Sequence, residues 1–134
     1  MYLLDTVVLS ELRKTGPNRG VISFLTPMAP DTLFLSSMTI GEIEAGIQRQ
    51  RGVNPKFAAE LAHWLAATET RFAGQILPVT PAVAKLWGRL CVLTGNKGVD
   101  NLIAATALHH GLTVVTRNAK HFEQTDVSTL DPFE

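Results

Sequence analysis

The feature that most constrains this chain is a regular alternation of short apolar runs with helical segments. A small or polar residue closes each run, and apolar residues at helical spacing then follow. The predicted strands are residues 2–4, 33–35, 76–79, 112–115 and 127–130. Because strands that alternate with helices are typical of parallel pairing, the sequence predicts an α/β fold with a central, mainly parallel β-sheet flanked by helices on both faces.

The segments between the runs carry the start and stop signals of helices. Asn54 before Pro55 and Thr80 before Pro81 are cap and first-turn pairs, and Gly111 is placed to end an alanine-rich helix. The run at 76–79 contains a proline, which favours an edge strand or a strand end.

Size and composition predict a single domain over residues 1–134. The chain has 134 residues, 46% of them hydrophobic, and one cysteine, Cys91, which its apolar neighbours predict to be a buried thiol. We therefore expect a reducing, cytoplasmic location. No basic leader and no run of about 18 apolar residues is present, so neither export by a signal peptide nor a membrane span is expected.

Charge excludes a general attraction to nucleic acid, because 12 Lys and Arg balance 12 Asp and Glu. Any nucleic-acid partner must therefore be bound by local groups. No glycine-rich phosphate loop is present, which argues against a dinucleotide or nucleoside triphosphate site.

Polar residues are predicted to meet at the carboxyl edge of the sheet, where parallel α/β folds bind ligands. Asp5 follows the first run, Glu42 lies in the first turn of the helix after the second run, and Asn118 follows the fourth run. Asp100, in the first turn of the alanine-rich helix, reaches the same edge in a right-handed crossover. Clustered carboxylates repel one another unless a cation lies between them, and a site with only oxygen ligands selects Mg²⁺ or Mn²⁺. Because such ions activate water and neutralise charge on phosphate, the pattern favours phosphodiester hydrolysis.

Each of these residues also has a purely structural interpretation. Asp5 is suited to cap the helix that follows it, and Glu42 with Thr39 fits a capping box. Asp100 suits the positive end of a helix, and Asn118 suits a left-handed turn position. His121 lies three residues past Asn118 and could reach the same edge, although a solvated or packed imidazole is the favoured interpretation. The catalytic hypothesis depends on the joint placement of the four residues.

Three segments, YLLDTVVLSEL, SSMTIGEIEAGI and DNLIAATALHHGLTVVTRNAKHF, together resemble the PIN-domain ribonucleases, and most closely the VapC toxins of toxin–antitoxin pairs. The resemblance spans nearly the whole chain. It implies a PIN fold, magnesium-dependent endoribonuclease activity and a homodimer. It also implies inhibition by a small cognate antitoxin whose C-terminal tail covers the active site.

Carried over by position, the resemblance makes Asp5, Glu42, Asp100 and Asn118 the catalytic residues. Asp5 and Asp100 would ligate Mg²⁺ directly, while Thr6 and Thr116 would support the site. The chain departs from the family pattern at two places. Asn118 stands where the family often has Asp, and Val7 replaces an Asn that follows the first acidic residue by two positions. Loss of such supporting residues can cost about 10–100-fold in affinity or activity.

Basic residues offer possible RNA contacts. Arg117 and Lys120 flank Asn118, and Arg13 with Lys14 closes the first helix. The alternative is an ordinary solvated charged face. Apolar helical positions predict either a dimer contact or ordinary core; they are Ile43, Ile47, Trp64 and Leu65.

The leading hypothesis is thus a magnesium-dependent endoribonuclease, the toxin of a type II toxin–antitoxin pair, which hydrolyses RNA with metal-activated water. A second hypothesis is a catalytically weak PIN-fold subunit that complexes a DNA-binding antitoxin and regulates operator occupancy. A third, a small-molecule phosphatase, has less support, because Val7 stands where an aspartyl phosphatase requires a second acidic residue.

Overall fold

The computed structural model describes all 134 residues, 1–134, and contains one five-stranded sheet in the order β3-β2-β1-β4-β5. Every neighbouring pair is parallel, which confirms the predicted α/β architecture. The strands are β1 (Tyr2–Leu4), β2 (Leu33–Ser36), β3 (Ile76–Leu77), β4 (Thr113–Val115) and β5 (Thr129–Leu130). The proline-containing run forms β3 at one edge, as predicted, because a proline cannot donate a ladder hydrogen bond.

Six α-helices connect and cover the strands. They are α1 (Thr6–Glu11), α2 (Arg19–Leu25), α3 (Ser37–Arg51), α4 (Pro55–Arg71), α5 (Pro81–Thr94) and α6 (Val99–His110). Two 3₁₀ helices, Pro30–Thr32 and Ala119–Thr125, complete the structure. The side chains of Asn54 and Thr80 cap α4 and α5, and Gly111 ends α6 with φ 66°, as the sequence predicts.

The sheet separates two hydrophobic cores, because successive strand residues point to opposite faces. Leu4 and Val115 pack with α1, α2, α3 and α4 on one face. Leu3 and Val114 pack with α5, α6 and the 3₁₀ helix Ala119–Thr125 on the other. On this second face Ala104, Ala105 and Ala107 are fully buried, so the alanines of α6 pack tightly in the core, as predicted.

Helix α2 was not predicted from the sequence. Asn18 caps it by accepting from the backbone N–H of Gly20 at 2.9 Å. Asn18 also holds the end of the chain, because its side chain bonds the backbone N–H and C=O of Glu134 at 3.2 and 3.1 Å. A side chain at position 20 would collide with the backbone of Pro132, so glycine permits the close approach. These long-range contacts leave no local periodic signal.

The structure corrects one expectation about apolar residues and decides most of another. Cys91 is half-buried rather than buried, because its neighbours Val92 and Leu93 are 87% and 62% exposed on α5. Of the residues considered for a dimer contact, Ile43, Ile47 and Leu65 are buried core, while Trp64 is half-buried. No helix combines the length and apolarity needed to cross a bilayer.

Candidate active site

The acidic residues predicted from the sequence are brought together at the carboxyl edge of the central strands. Asp5 follows β1, Glu42 lies on the helix after β2, and Asp100 lies in the first turn of α6. The negative charges of Asp100 and Glu42 each raise the pKa of Asp5, which requires both to lie near it. Asn118 follows β4, the strand that pairs with β1.

Asp5 is buried, and both of its carboxylate oxygens accept hydrogen bonds. It is 5% exposed, and its Oδ1 accepts from the backbone N–H of Thr6 at 2.7 Å. Its Oδ2 accepts from the hydroxyl of Thr116 at 2.8 Å. Burial is the main cause that raises the pKa of Asp5, while these two hydrogen bonds oppose the rise. The capping interpretation is therefore correct only for Oδ1, which caps α1. Oδ2 instead accepts from Thr116, which lies 111 positions away in the sequence.

Glu42 is positioned differently from the prediction. Ser36, not Thr39, is the N-cap of α3, since its Oγ accepts from the backbone N–H of Met38 at 3.1 Å. Thr39 is buried inside the helix, so the capping-box interpretation is wrong and Glu42 lies in the second turn. Its Oε1 instead accepts from the hydroxyl of Thr6 at 2.6 Å.

The hydroxyl of Thr6 lies between two residues of α3. Besides its bond to Glu42, its Oγ1 lies 3.1 Å from the Oγ1 of Thr39. Since the backbone N–H of Thr6 also bonds Asp5, one residue connects Asp5 to Glu42. The sequence suggested only a capping role for Thr39. Its contact with Thr6 was missed, because the two residues are 33 positions apart.

Asp100 is paired with a residue that the sequence did not assign to the site. Its Oδ2 lies 2.9 Å from Nδ1 of His121, on the 3₁₀ helix that follows β4. The side chains are 33% and 57% exposed. His121 is therefore solvent-exposed, as favoured, and it also reaches the edge of the sheet, where it contacts Asp100. Its place three residues after Asn118 was the only available signal.

The backbone of Asn118 has φ −107° and ψ 55°, which lies outside the left-handed region, so the left-handed turn interpretation is wrong. Its backbone N–H donates to the hydroxyl of Thr116 at 3.0 Å. The same hydroxyl donates to Asp5, so Thr116 fixes the turn and the carboxylate together. The side-chain amide of Asn118 makes no hydrogen bond within the chain, which leaves it available to a ligand.

The donor set fits a hard divalent cation. Asp5, Glu42 and Asp100 supply only carboxylate oxygens, the ligands that Mg²⁺ prefers. No group of three or more His, Cys, Asp or Glu side chains forms a preassembled metal cage. Mg²⁺ does not need one, because proteins usually hold it through one or two carboxylates and several waters. Asp5 and Asp100 could supply these two carboxylates.

The basic residues near the site have different partners. The guanidinium of Arg117 lies 4.7 Å from the ring centroid of Phe133, and its charge helps to lower the pKa of Glu11. Lys14 lies 3.0 Å from Glu11 and is the main cause of that lowering, through its hydrogen bond. Lys120 is exposed and lines a shallow cavity beside Asn118.

Comparisons with known proteins agree with this geometry. A family model described as "PIN domain" matches residues 2–128. The Toxin FitB of Neisseria gonorrhoeae is 33% identical over 139 residues, covering 99% of each chain. The VapC ribonuclease Y4jK of Sinorhizobium fredii is 30% identical over 145 residues, covering 100% of this chain and 99% of the relative.

The solved structure of FitAB bound to an IR36 DNA fragment matches with a TM-score of 0.87 and 31% identity, covering 100% of this chain and 96% of that one. The motifs, the sheet and the family match agree, and the chain belongs to the PIN-domain family.

Proposed function

We propose that this chain is a metal-dependent endoribonuclease and the toxin of a type II toxin–antitoxin pair. The observation that carries the proposal is the buried carboxylate of Asp5, fixed by Thr116 and close to the charges of Glu42 and Asp100. Burying a carboxylate beside other acidic groups is unfavourable unless a cation compensates it. The names of the FitB and VapC relatives support the same activity.

In this proposal, Asp5 and Asp100 hold Mg²⁺, for which Mn²⁺ is a substitute. A bound Mg²⁺ supplies Lewis acidity, which lowers the pKa of water and neutralises charge that develops on a phosphate. The backbone N–H of Thr6 and the hydroxyl of Thr116 keep both oxygens of Asp5 oriented. Glu42, held by Thr6, adds negative charge beside the ligands.

Asn118 completes the proposed catalytic group, and Lys120 and Arg117 are the proposed RNA contacts. The free side-chain amide of Asn118 can bond a substrate or water oxygen without adding charge. Exposed Lys120 stands beside it and can contact an RNA phosphate. Arg117 is exposed as well, although its guanidinium also makes a cation–π contact with Phe133.

We also propose a cognate antitoxin as the protein partner, a homodimer as the toxin's assembly and the cytoplasm as its location. The antitoxin proposal is supported by the relative called Toxin FitB and by the matching FitAB complex.

A second candidate function is a weakly catalytic subunit that complexes a DNA-binding antitoxin and regulates operator occupancy. The FitAB complex bound to DNA favours it, as do the departures at Val7 and Asn118 from the family pattern. Partner and operator binding that survive in Asp5→Asn, together with no cleavage by the unmodified protein, would support this function.

Cleavage of a mixed single-stranded RNA pool tests the main proposal. The purified protein is assayed with Mg²⁺ and with EDTA, beside Asp5→Asn and Asp100→Asn prepared identically. We expect cleavage only by the unmodified protein with Mg²⁺. Cleavage that persists in EDTA or in both variants would show that these carboxylates do not carry the reaction.

A further inference from the structure

A groove between α1, α3 and α4 opens directly from the acidic site. It consists of two adjoining cavities of about 280 and 470 Å³ that share Arg13, Phe57 and Trp64. Thr6 and Glu42 line the inner cavity, together with Arg49 of α3. We call this feature the arginine groove. It is continuous with the proposed catalytic residues, so a chain-like ligand bound at the acidic edge can extend into it.

The arginines of this groove have no carboxylate partner. The only ion pairs in the structure join Lys14 to Glu11 and His121 to Asp100. Arg13 and Arg49 are both exposed and belong to neither pair. The chain as a whole is neutral, and Glu42 and Glu60 also line the groove, yet neither carboxylate forms an ion pair with Arg13 or Arg49. Unpaired positive charge of this kind favours an anionic ligand.

Arg13 has an aromatic neighbour and no ion-pair partner. Its guanidinium carbon lies 5.3 Å from the ring centroid of Phe57, a cation–π contact. The N–H donors lie around the edge of a guanidinium, in a fork that matches two phosphate oxygens. The contact with Phe57 is not a hydrogen bond, so it does not occupy the N–H donors of Arg13. Half-buried Trp64 adds an aromatic surface to the same groove.

We propose that the arginine groove binds the single-stranded RNA that flanks the scissile phosphate, an inference that rests on the proposed endoribonuclease function. Arg13 and Arg49 bind successive backbone phosphates, and Trp64 stacks on a base. Phosphate contacts combined with aromatic stacking are how proteins hold single strands without reading every base. A polynucleotide is favoured over a protein partner because it necessarily continues beyond the reacting phosphate, with one negative charge on each nucleotide.

Fluorescence anisotropy in EDTA tests the groove separately from catalysis. The probe is a fluorescein-labelled single-stranded RNA of mixed sequence, titrated with the full chain. The variants are Arg13→Gln and Arg49→Gln. The matched control is Lys85→Gln, which removes one exposed positive charge from α5 on the opposite face of the sheet.

We expect each groove variant to weaken RNA binding about tenfold, since a hydrogen bond to a charged group contributes about 1.5 kcal/mol. The slope of log affinity against log salt should fall by about 0.7 for each lost phosphate contact. The control should keep both its affinity and its salt slope. Equal far-ultraviolet circular dichroism of all variants serves as the check on folding.

Equal RNA binding by Arg13→Gln, Arg49→Gln and Lys85→Gln would contradict the proposal that the arginine groove binds RNA, even if the unmodified protein cleaves RNA. Loss of antitoxin binding by arginine variants that keep RNA binding would overturn it as well, and would assign the groove to a protein partner. Conversely, weaker RNA binding by the arginine variants in a protein that never cleaves RNA would support the groove and reject the proposed function.

Discussion

The two carboxylates proposed as metal ligands lie in opposite environments. Asp5 is 5% exposed at a strand end, and both of its oxygens already accept hydrogen bonds. Asp100 is 33% exposed in the first turn of a helix, and its one side-chain contact is with His121, which is more exposed still. The first position is therefore fixed by the folded core, whereas the second can adjust to what it binds. A site built this way combines one rigid ligand with one adaptable ligand.

Replacing the rigid ligand should have the largest effect. We expect Asp5→Asn to lower RNA cleavage by more than about 100-fold, because even residues that only support metal ligands contribute about 10–100-fold. The same variant should unfold at a higher temperature than the unmodified protein at neutral pH, because it removes a buried charge that burial disfavours. Cleavage assays and thermal denaturation measure the two effects.

The control for this prediction is Asp100→Asn, which should also lose cleavage but change stability by no more than about 0.5 kcal/mol, as is usual for partly exposed sites. A lower melting temperature in Asp5→Asn would show that the buried charge is not the destabilising element.

Stability should also depend on pH through Asp5. Its pKa in the folded protein lies above the ordinary aspartate value of 3.8, mainly because of burial, so the folded state binds a proton that the unfolded state has released. The contribution of Asp5 to the free energy of unfolding is therefore fully present below pH 3.8. It is lost as the pH rises through the raised pKa.

Urea denaturation from acid to neutral pH measures this dependence. Asp5→Asn should lack this part of the decline in the free energy of unfolding, whereas Asp100→Asn should retain it. Identical pH profiles for Asp5→Asn and the unmodified protein would contradict the assignment.

Loosening the rigid ligand without removing it should have an intermediate effect. Thr116→Val keeps the shape of a fully buried side chain but removes the hydroxyl that bonds Asp5 and the backbone of Asn118. We expect cleavage to fall about 10–100-fold. The pKa of Asp5 should rise further, because this bond lowers it. Thr116→Ser, which retains a hydroxyl, should recover most of the activity, and failure to do so would indicate a packing defect.

The adaptable ligand should tolerate loss of its partner. His121→Gln removes one exposed contact to Asp100, and exposed ion pairs contribute about 0–1 kcal/mol. We therefore expect less than about a fivefold change in cleavage. Magnesium titrations of both proteins by calorimetry show whether metal affinity follows. A loss as large as that of Thr116→Val would mean that Asp100 needs His121 for its orientation.

The smallest effect is expected at Val7. The family pattern predicts that an Asn here supports the first acidic residue, but Thr6 and Thr116 already bond both oxygens of Asp5. Val7 itself is 39% exposed. Val7→Asn should therefore change cleavage less than about threefold, well below the 10–100-fold range for a supporting residue. A tenfold gain would show that position 7 still limits the site.

The sequence predicted the features of the fold that depend on local pattern. The five strands, the five helices other than α2, the caps at Asn54 and Thr80, and the edge position of β3 were confirmed. Asp5 and Asp100 were assigned to one edge because their positions follow from where a strand ends and a helix begins. Glu42 was assigned to that edge correctly, although one turn too early in its helix.

The remaining features of the site depend on contacts between distant parts of the chain. The bonds from Thr6 to Glu42 and from Thr116 to Asp5 span 36 and 111 positions. Helix α2 is capped by Asn18, which also bonds the last residue of the chain. None of these contacts produces a period or a motif. His121 was underestimated for the same reason, since its partner belongs to another element.

The long span of the bond between Thr116 and Asp5 also affects how the protein is made. At the usual synthesis rate of about 5–20 residues per second, Thr116 is added about 6–22 s after Asp5. β1 has β2 as a parallel neighbour early, but it must wait for β4 to complete the centre of the sheet. Pairing across such distances is slow to form. A growing chain that has not yet reached Thr116 therefore lacks the support of its buried carboxylate, and the site can assemble only after β4 and Thr116 have been synthesised.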